Sequence, residues 1–374
     1  LPLFFCLQLG VIMDESKLQG FFSFVGDLAF NDRVAVLHDS DADGVSAAVI
    51  VSKAIERIRG KKPDFVFTQF KRMVSIEPQT VTLLRKKKIN KLIVLDLAVD
   101  QRPKKVKEIE KFARVMVIDH HKVYHNLSSK KTVFLKAGLL SKVEPSKYAT
   151  SKLSFDLFSK IVDLSDVAWV ACVGLVGDFS VQAWKSFVDK TLNDSDLSLS
   201  QIKSCTELIS AVEIIHVEDI SDLFEVYFAS AMPQDLLKSK YSSYMEKVEK
   251  ELSRILKEFN QKSEVFQDIG LVFFEFKSRY SIKSYLINHL STRMLPNKTI
   301  VVVEDLGNGI LTLSARRQDF KVRVNDLLEN AVKNLNGGIA GGHVPAAGGK
   351  IRKQDFPKFK QNIIRILSAK KKKK

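Results

Sequence analysis

Three apolar runs in the first third of the chain each stop on an acidic residue, and this pattern constrains the fold more than any other. Arg33-Val34-Ala35-Val36-Leu37 runs into His38-Asp39-Ser40-Asp41-Ala42-Asp43-Gly44, Lys91-Leu92-Ile93-Val94-Leu95 stops on Asp96, and Arg114-Val115-Met116-Val117-Ile118 stops on Asp119-His120-His121. Continuous rather than alternating apolar residues fit strands covered on both faces of a parallel sheet. The segments 45–58, 78–88 and 103–113 read as helices, and 64–70 as a further strand. In open α/β sheets ligands bind beyond the carboxyl ends of the strands. Asp39, Asp41, Asp43, Asp96, His120 and His121 are therefore expected to meet in one crevice, although they are scattered along the sequence.

The first acidic turn is costly by itself. Three carboxylates at alternate positions repel one another, and a bound divalent cation is the usual remedy. A solvated Asp-rich turn is the plainer alternative for this heptapeptide alone, and the two other strand ends weigh against it. Further on, 165–177 reads as an apolar helix ending in Gly174-Leu175-Val176-Gly177-Asp178. Asp178 is either a surface residue at a helix end or a last acidic ligand.

The chain has 374 residues, enough for two domains, and a formal net charge of +16. Most of that charge lies outside the terminal Lys370–Lys374 run, which is expected to be a disordered tail. A basic surface of this size favours a polyanion, most simply nucleic acid, over a generally lysine-rich composition without such a partner. Cys6, Cys172 and Cys205 have no metal-ligand spacing and fit a reducing, cytoplasmic setting. No apolar stretch reaches the length that spans a bilayer, so no membrane partner is expected. Met13-Asp14-Glu15 looks like a more natural beginning than Leu1, and nothing is built on residues 1–12. An amphipathic helix is expected over 14–30.

Residues 191–262 look mostly helical, with Tyr241, Tyr244, Val248, Leu252, Ile255 and Phe259 at three-or-four spacing, as in a structural connecting helix. A second α/β unit begins near 263, with strands at 269–276, 299–303 and 310–314 and a helix at 281–291. The segment Asn336-Gly337-Gly338-Ile339-Ala340-Gly341-Gly342-His343-Val344-Pro345-Ala346-Ala347-Gly348-Gly349 holds six of the 17 glycines. It reads as a loop exposing backbone N–H groups to a phosphate or sugar, with His343 and Arg316 as positive donors. A flexible linker is the alternative.

Taken together, Asp39-x-Asp41-x-Asp43-Gly44, Asp96, Asp119-His120-His121 and Gly177-Asp178 resemble the four motifs of the DHH phosphoesterase superfamily, in order and at similar spacing. Gly341-Gly342-His343-x-x-Ala346-Ala347-Gly348 resembles the signature of the DHH-associated C-terminal domain. Three aspartates in the first motif resemble the RecJ-like branch; oligoribonuclease and pyrophosphatase relatives tend to carry a His and two aspartates there. The resemblance implies an α/β fold with a DHH domain over 14–190, a helical connector over 191–262, a smaller α/β substrate-binding domain over 263–369, the Lys tail at 370–374, and an active site in the cleft between domains.

It also implies two manganese ions, with magnesium as the alternative, sharing Asp96. Asp39 and Asp41 would complete one site, and Asp43, His120 and Asp178 the other. Asp119 would orient an imidazole, and His121 would contact the scissile phosphate or protonate the leaving oxygen. Arg316, Gly341, Gly342, His343, Ala346 and Gly348 would bind the terminal nucleotide. The implied activity is exonucleolytic hydrolysis of single-stranded DNA or RNA, in DNA repair, replication or RNA turnover, with a replication or repair protein as a candidate partner. Two alternatives stand beside it: a phosphodiesterase for short oligonucleotides, (cyclic) dinucleotides or the bisphosphate pAp, and a replication-associated nucleic-acid-binding scaffold.

Overall fold

The computed structural model describes residues 13–69 and 76–371. Residues 1–12, Phe70 at the end of the expected second strand, the close of the Lys370–Lys374 run and the side chain of His343 lie outside the described residues. The chain divides into two compact units, one running to Met245 and one from Glu246.

The first unit runs α1 (Gln19–Gly26), β1 (Val34–His38), α2 (Ala42–Arg59), β2 (Phe65–Thr68), α3 (Pro78–Lys86), β3 (Lys91–Leu95), α4 (Lys104–Ile109), β4 (Arg114–Asp119), β5 (Thr132–Lys136), α5 (Ala137–Leu140), α6 (Thr150–Phe158), α7 (Ala168–Gly177), α8 (Lys185–Asp194), α9 (Leu199–Ile215), α10 (Ile220–Ala229) and α11 (Pro233–Leu237). Its five strands form one parallel sheet in the order β2-β1-β3-β4-β5. Alternate side chains of the central strands go to opposite faces. Val34, Val36, Ile93, Leu95, Met116 and Ile118 join the core built with α2, α6 and α7, whereas Ala35, Leu37, Leu92, Val94, Val115 and Val117 pack with α3 and α4. Both faces are thus dry, which is why these strands carry continuous apolar runs.

The helix expected over 14–30 is shorter. A 3-10 turn covers Glu15–Lys17 and α1 ends at Gly26. There the chain leaves the helix, and Asp27 pairs with Lys91 and Arg114 at the starts of β3 and β4. Conversely, α2 starts at Ala42 rather than Val45, because the Asp41 carboxylate accepts the Gly44 N–H (3.0 Å) and caps the helix. Strand β5 has no counterpart among the sequence expectations. It is five residues long and follows the polar Ser128-Ser129-Lys130-Lys131, which masks a strand signal. Within 191–262, α9 packs on α7, and α10 packs on α2, so these helices belong to the first unit.

The second unit contains α12 (Ser242–Lys262), β6 (Glu264–Phe266), β7 (Leu271–Phe276), α13 (Lys283–His289), β8 (Thr299–Asp305), β9 (Ile310–Arg316), α14 (Val324–Val332), β10 (Ile339–His343), β11 (Ala346–Arg352) and α15 (Phe356–Lys371). The first four residues of α12 fall on the earlier side of the division. The mixed sheet has the order β10-β11-β9-β8-β7-β6, parallel only between β7 and β8. α14 and α15 cover one face through Leu327, Leu328, Ala331, Phe359 and Ile363. The glycine-rich segment, expected as an open loop, is instead a hairpin: β10 and β11 pair antiparallel, Gly341 opposite Gly348 and Gly342 opposite Ala347. β11 pairs on both sides, with β10 and β9, whereas β10 lies at the edge of the sheet and pairs with β11 alone. Glycine is needed there for close approach, since a Cβ at Gly342, at φ +144°, would meet Ala346 O at 2.5 Å. Among the described residues no helix is long and apolar enough to cross a membrane.

Candidate metal centre

Strands β1, β3 and β4 are neighbours in the sheet and end in register, His38 opposite Leu95 and Leu95 opposite Ile118. Asp39, Asp96 and Asp119 therefore leave the same edge side by side. The ladder continues one step further, Asp39 N–H to Leu95 O (3.3 Å) and Asp96 N–H to Ile118 O (3.0 Å). Asp96 adopts φ +60°, a left-handed conformation that costs a non-glycine residue about 1–2 kcal/mol. Such strain persists where the surroundings fix a side chain in place.

Two helix ends complete the cluster. Asp41 and Asp43 enter through the N-terminus of α2, and Asp178 caps the C-terminus of α7. One donor atom each from Asp39, Asp41 and Asp96 lie within 4.8 Å of one another; so do those of Asp43, His120 and Asp178, and those of Asp96, His120 and His121. His120 Nε2 is 3.4 Å from Asp96 Oδ1, and its Nδ1 is 3.5 Å from Asp178 Oδ2. The six aspartate and histidine positions expected as ligands thus share one edge of the first unit.

Glycine makes the close packing possible. A Cβ on Gly174 of α7 would fall 2.5 Å from Asp43 Oδ1 and 2.0 Å from Ser151 Oγ. At Gly44 it would meet Asp39 O at 2.6 Å.

The electrostatics of the cluster are unfavourable without a counter-ion. Asp96 is buried, and burial together with the charges of Asp43, Asp41, Asp178 and Asp39 raises its carboxyl well above the ordinary range. Asp178 is raised in the same way, burial first and then Asp43 and Asp41. Burial also raises Asp43, against the pull of His120. Buried Nδ1 of His120 and Oδ2 of Asp178 have no hydrogen-bond partner among the described residues. Carboxylate oxygens and a free imidazole nitrogen converging on one point fit a divalent cation of the manganese or magnesium type, oxygen-rich with nitrogen admitted.

Asp119 behaves differently. Burial opposes its ionisation, but the hydrogen bond from His121 and the charges of His121 and Lys136 outweigh burial and hold it far below the carboxylate range. His121 Nδ1 sits 2.7 Å from Asp119 Oδ1, and its own N–H on the backbone donates to the same oxygen (3.0 Å). Burial works against the imidazolium, yet Asp119 holds His121 above the usual histidine range. With its Nδ1 turned to Asp119 and 41% of the side chain exposed, His121 is the open member of the group.

Four supporting residues were not anticipated from the sequence. Lys136, fully buried at the end of β5, lies 2.8 Å from both Asp119 Oδ2 and Asp100 Oδ1. Asp100 Oδ2 in turn accepts the Tyr124 N–H (2.6 Å), which fixes the segment after His121. At the start of α6, the Thr150 and Ser151 N–H groups donate to Asp43 (2.6 and 2.9 Å), and Thr150 Oγ1 donates to Asp96 Oδ1 (2.9 Å). Free N–H groups of a helix N-terminus suit a carboxylate. A lysine closing the apolar run Thr132-Val133-Phe134-Leu135, and Thr-Ser ahead of an apolar segment, were the available signals.

In the second unit Arg316 ends β9 opposite Ala346 of β11, which is itself opposite His343 of β10. The Arg316 Nε–H donates to Asn288 Oδ1 (3.2 Å), and burial pushes the guanidinium down to about 10. Burial also lowers Lys283, with Lys350 and Arg316 adding repulsion against the help of Glu304. Gly341, Gly342, Ala346 and Gly348 line the same hairpin, beside positive charge that suits an anion.

The N-terminal domain model of the DHH family matches residues 33–175, and the DHHA1 domain model matches residues 285–369. The chain belongs to the DHH family. The family is one of metal-dependent phosphoesterases, as the motif resemblance implied. Among solved structures the chain is similar to exonuclease RecJ bound to manganese, with TM-score 0.70, 15% identity and 94% of each chain covered. It is also similar to RecJ in complex with Mn2+ from Thermus thermophilus, with TM-score 0.70 and 15% identity over 94% of this chain and 55% of that one. A third likeness is to the pGpG-specific phosphodiesterase PggH from Vibrio cholerae, with TM-score 0.52 and 14% identity over 90% and 99%. At such identities the likeness is one of fold. No curated protein matches the chain significantly in sequence.

Proposed function

We propose that this DHH protein is a phosphodiesterase that hydrolyses single-stranded DNA or RNA from an end, using two manganese ions for which magnesium can substitute. The observation that carries the reading is the meeting of Asp39, Asp41, Asp43, Asp96, His120 and Asp178 at one sheet edge, beside an Asp119–His121 pair. Asp39, Asp41 and Asp96 would hold one ion, and Asp43, His120 and Asp178, together with Asp96, would hold the other. When bound, such a pair neutralises phosphoryl charge and makes water nucleophilic near neutral pH. The chain's own residues do the rest. Asp119 orients His121 and keeps its Nδ1 protonated, so that Nε2 meets the scissile phosphate or gives a proton to the leaving oxygen.

Arg316, with Gly341, Gly342, His343, Ala346 and Gly348, receives the terminal phosphate or nucleotide. The net charge of +16 suits a polyanionic strand. Buried free thiols at Cys172 and Cys205 suit a reducing compartment, and we place the protein in the cytoplasm, in DNA repair or replication or in RNA turnover.

A second reading, a phosphodiesterase of very short oligonucleotides, draws on the likeness to the pGpG-specific enzyme. One experiment separates the readings. End-labelled single-stranded DNA and RNA, from dinucleotides to long strands, are incubated with manganese and either the protein or Asp96→Ala. Progressive shortening of long strands, lost in the variant, supports the exonuclease. Cleavage confined to the shortest substrates supports the second reading. Binding without turnover in both proteins sinks both readings in favour of a scaffold.

A further inference from the structure

Helix α7 ends in a turn whose central residue is unexpected. Phe179 N–H donates to Val176 O (3.2 Å) and Ser180 N–H to Leu175 O (2.9 Å), the paired bonds of a left-handed helix stop. The left-handed residue of that motif is usually glycine, because a Cβ is disfavoured there. Here it is Phe179 at φ +53°. Its ring gains nothing in exchange from the core, since 67% of the residue is exposed. Among the described residues Phe179 belongs to no hydrophobic core cluster. Yet the residue directly follows Asp178, whose carboxylate faces His120 in the metal cluster.

We infer that Phe179 is a stacking platform for a nucleobase of the substrate, next to the scissile phosphate. The inference rests on the proposed function and sharpens its substrate class to unpaired nucleotides. The chemistry is that of aromatic–base stacking, which tolerates every base because each has a π-face, and which requires the base to be unstacked from a duplex. A rigid backbone stop is a suitable mount: the ring has only its own two torsions to fix on binding. Carboxylates crowd this edge and repel phosphate in the absence of metal, so an uncharged contact there adds affinity without adding charge to the cluster.

The test uses the full chain, Phe179→Gly and Phe179→Trp, with a fluorescent single-stranded oligothymidylate and the same strand made abasic at its terminal nucleotides. Binding is read by anisotropy, and hydrolysis separately with manganese. Because glycine suits the left-handed turn, Phe179→Gly is expected to melt at or above the wild-type temperature, which removes misfolding as an explanation. The wild type is expected to prefer the base-bearing strand by roughly tenfold or more. Phe179→Gly loses that preference, mainly through KM, and Phe179→Trp keeps it. Equal preference in wild type and Phe179→Gly overturns the platform while leaving the phosphodiesterase intact. Absence of turnover by the wild type refutes the proposed function instead, and the anisotropy ratio still decides the platform either way.

Discussion

Lys136 Nζ stands 2.8 Å from Asp119 Oδ2, and both side chains are fully buried. The two residues are register partners at the ends of β4 and β5, so the sheet itself sets the ion pair that holds the Asp-His-His segment. Two carboxylates, Asp119 and Asp100, share this one ammonium. Removing one member of a buried pair leaves uncompensated charge, at a cost of about 3–5 kcal/mol. Lys136→Met is expected to lower the urea midpoint accordingly and to disorder His121. An unchanged midpoint would show that Asp119 does not depend on Lys136.

Asp96 is raised by burial and by four neighbouring carboxylates. A raised acid contributes stability below its unfolded value, near 3.9, and that contribution is lost as pH climbs through the folded value. Metal-stripped protein at neutral pH therefore carries the repulsion, and Asp96→Asn, which still accepts from Thr150, is expected to melt several degrees higher. Manganese competes with the same protons, so it should raise the wild-type melting temperature more at about pH 8 than at about pH 6, and should leave Asp96→Asn almost unmoved. Calorimetry of both proteins with and without manganese reads all of this; an equal manganese response in the variant would rule out Asp96 as a ligand.

His38 supplies a pH dependence of the opposite sign. Burial pushes its imidazole down to about 4, against a hydrogen bond to Asp39 O (2.7 Å) and the charge of Asp41. Between that value and the unfolded one near 6.5 the unfolded chain binds the extra proton, so this term weakens the fold as pH falls. Relative to pH 7.5, the wild type should lose about 2 kcal/mol at pH 5 that His38→Gln does not lose. Parallel denaturant titrations of the two proteins at both values would settle it; identical slopes with pH would mean that His38 is free to protonate in the fold.

Gly174→Ala tests the packing beneath the acidic cluster. The new methyl group would meet Asp43 Oδ1 at 2.5 Å, and Asp43 is held by the Ser151 N–H. Either α7 retreats or Asp43 turns away, and overpacking of this kind costs about 1–3 kcal/mol. Manganese affinity is expected to fall by more than the fold does, measured by titration calorimetry beside thermal melting. Wild-type affinity in a destabilised variant would mean that α7 or the Ser151 side chain, not Asp43, gives way to the methyl group.

The sequence alone determined the sheet and the acidic edge, because both are local. A strand buried on two faces must be apolar throughout, and a carboxylate at its end is visible in the same few residues, as at Leu95-Asp96 and Ile118-Asp119. The family followed from such motifs in order. Tertiary structure decided what depends on register and on approach between distant elements. Lys136 became the countercharge of Asp119 only through the pairing of β4 and β5, a short strand that its polar lead-in hid. Thr150 and Ser151 reached Asp43 across more than 100 positions, because α6 points its N-terminus at α2. The glycine-rich segment looked like an open loop, since composition registers the absence of side chains but not the partner strand. In fact its two halves pair with each other as β10 and β11, and β9 takes β11 into the sheet by backbone hydrogen bonding.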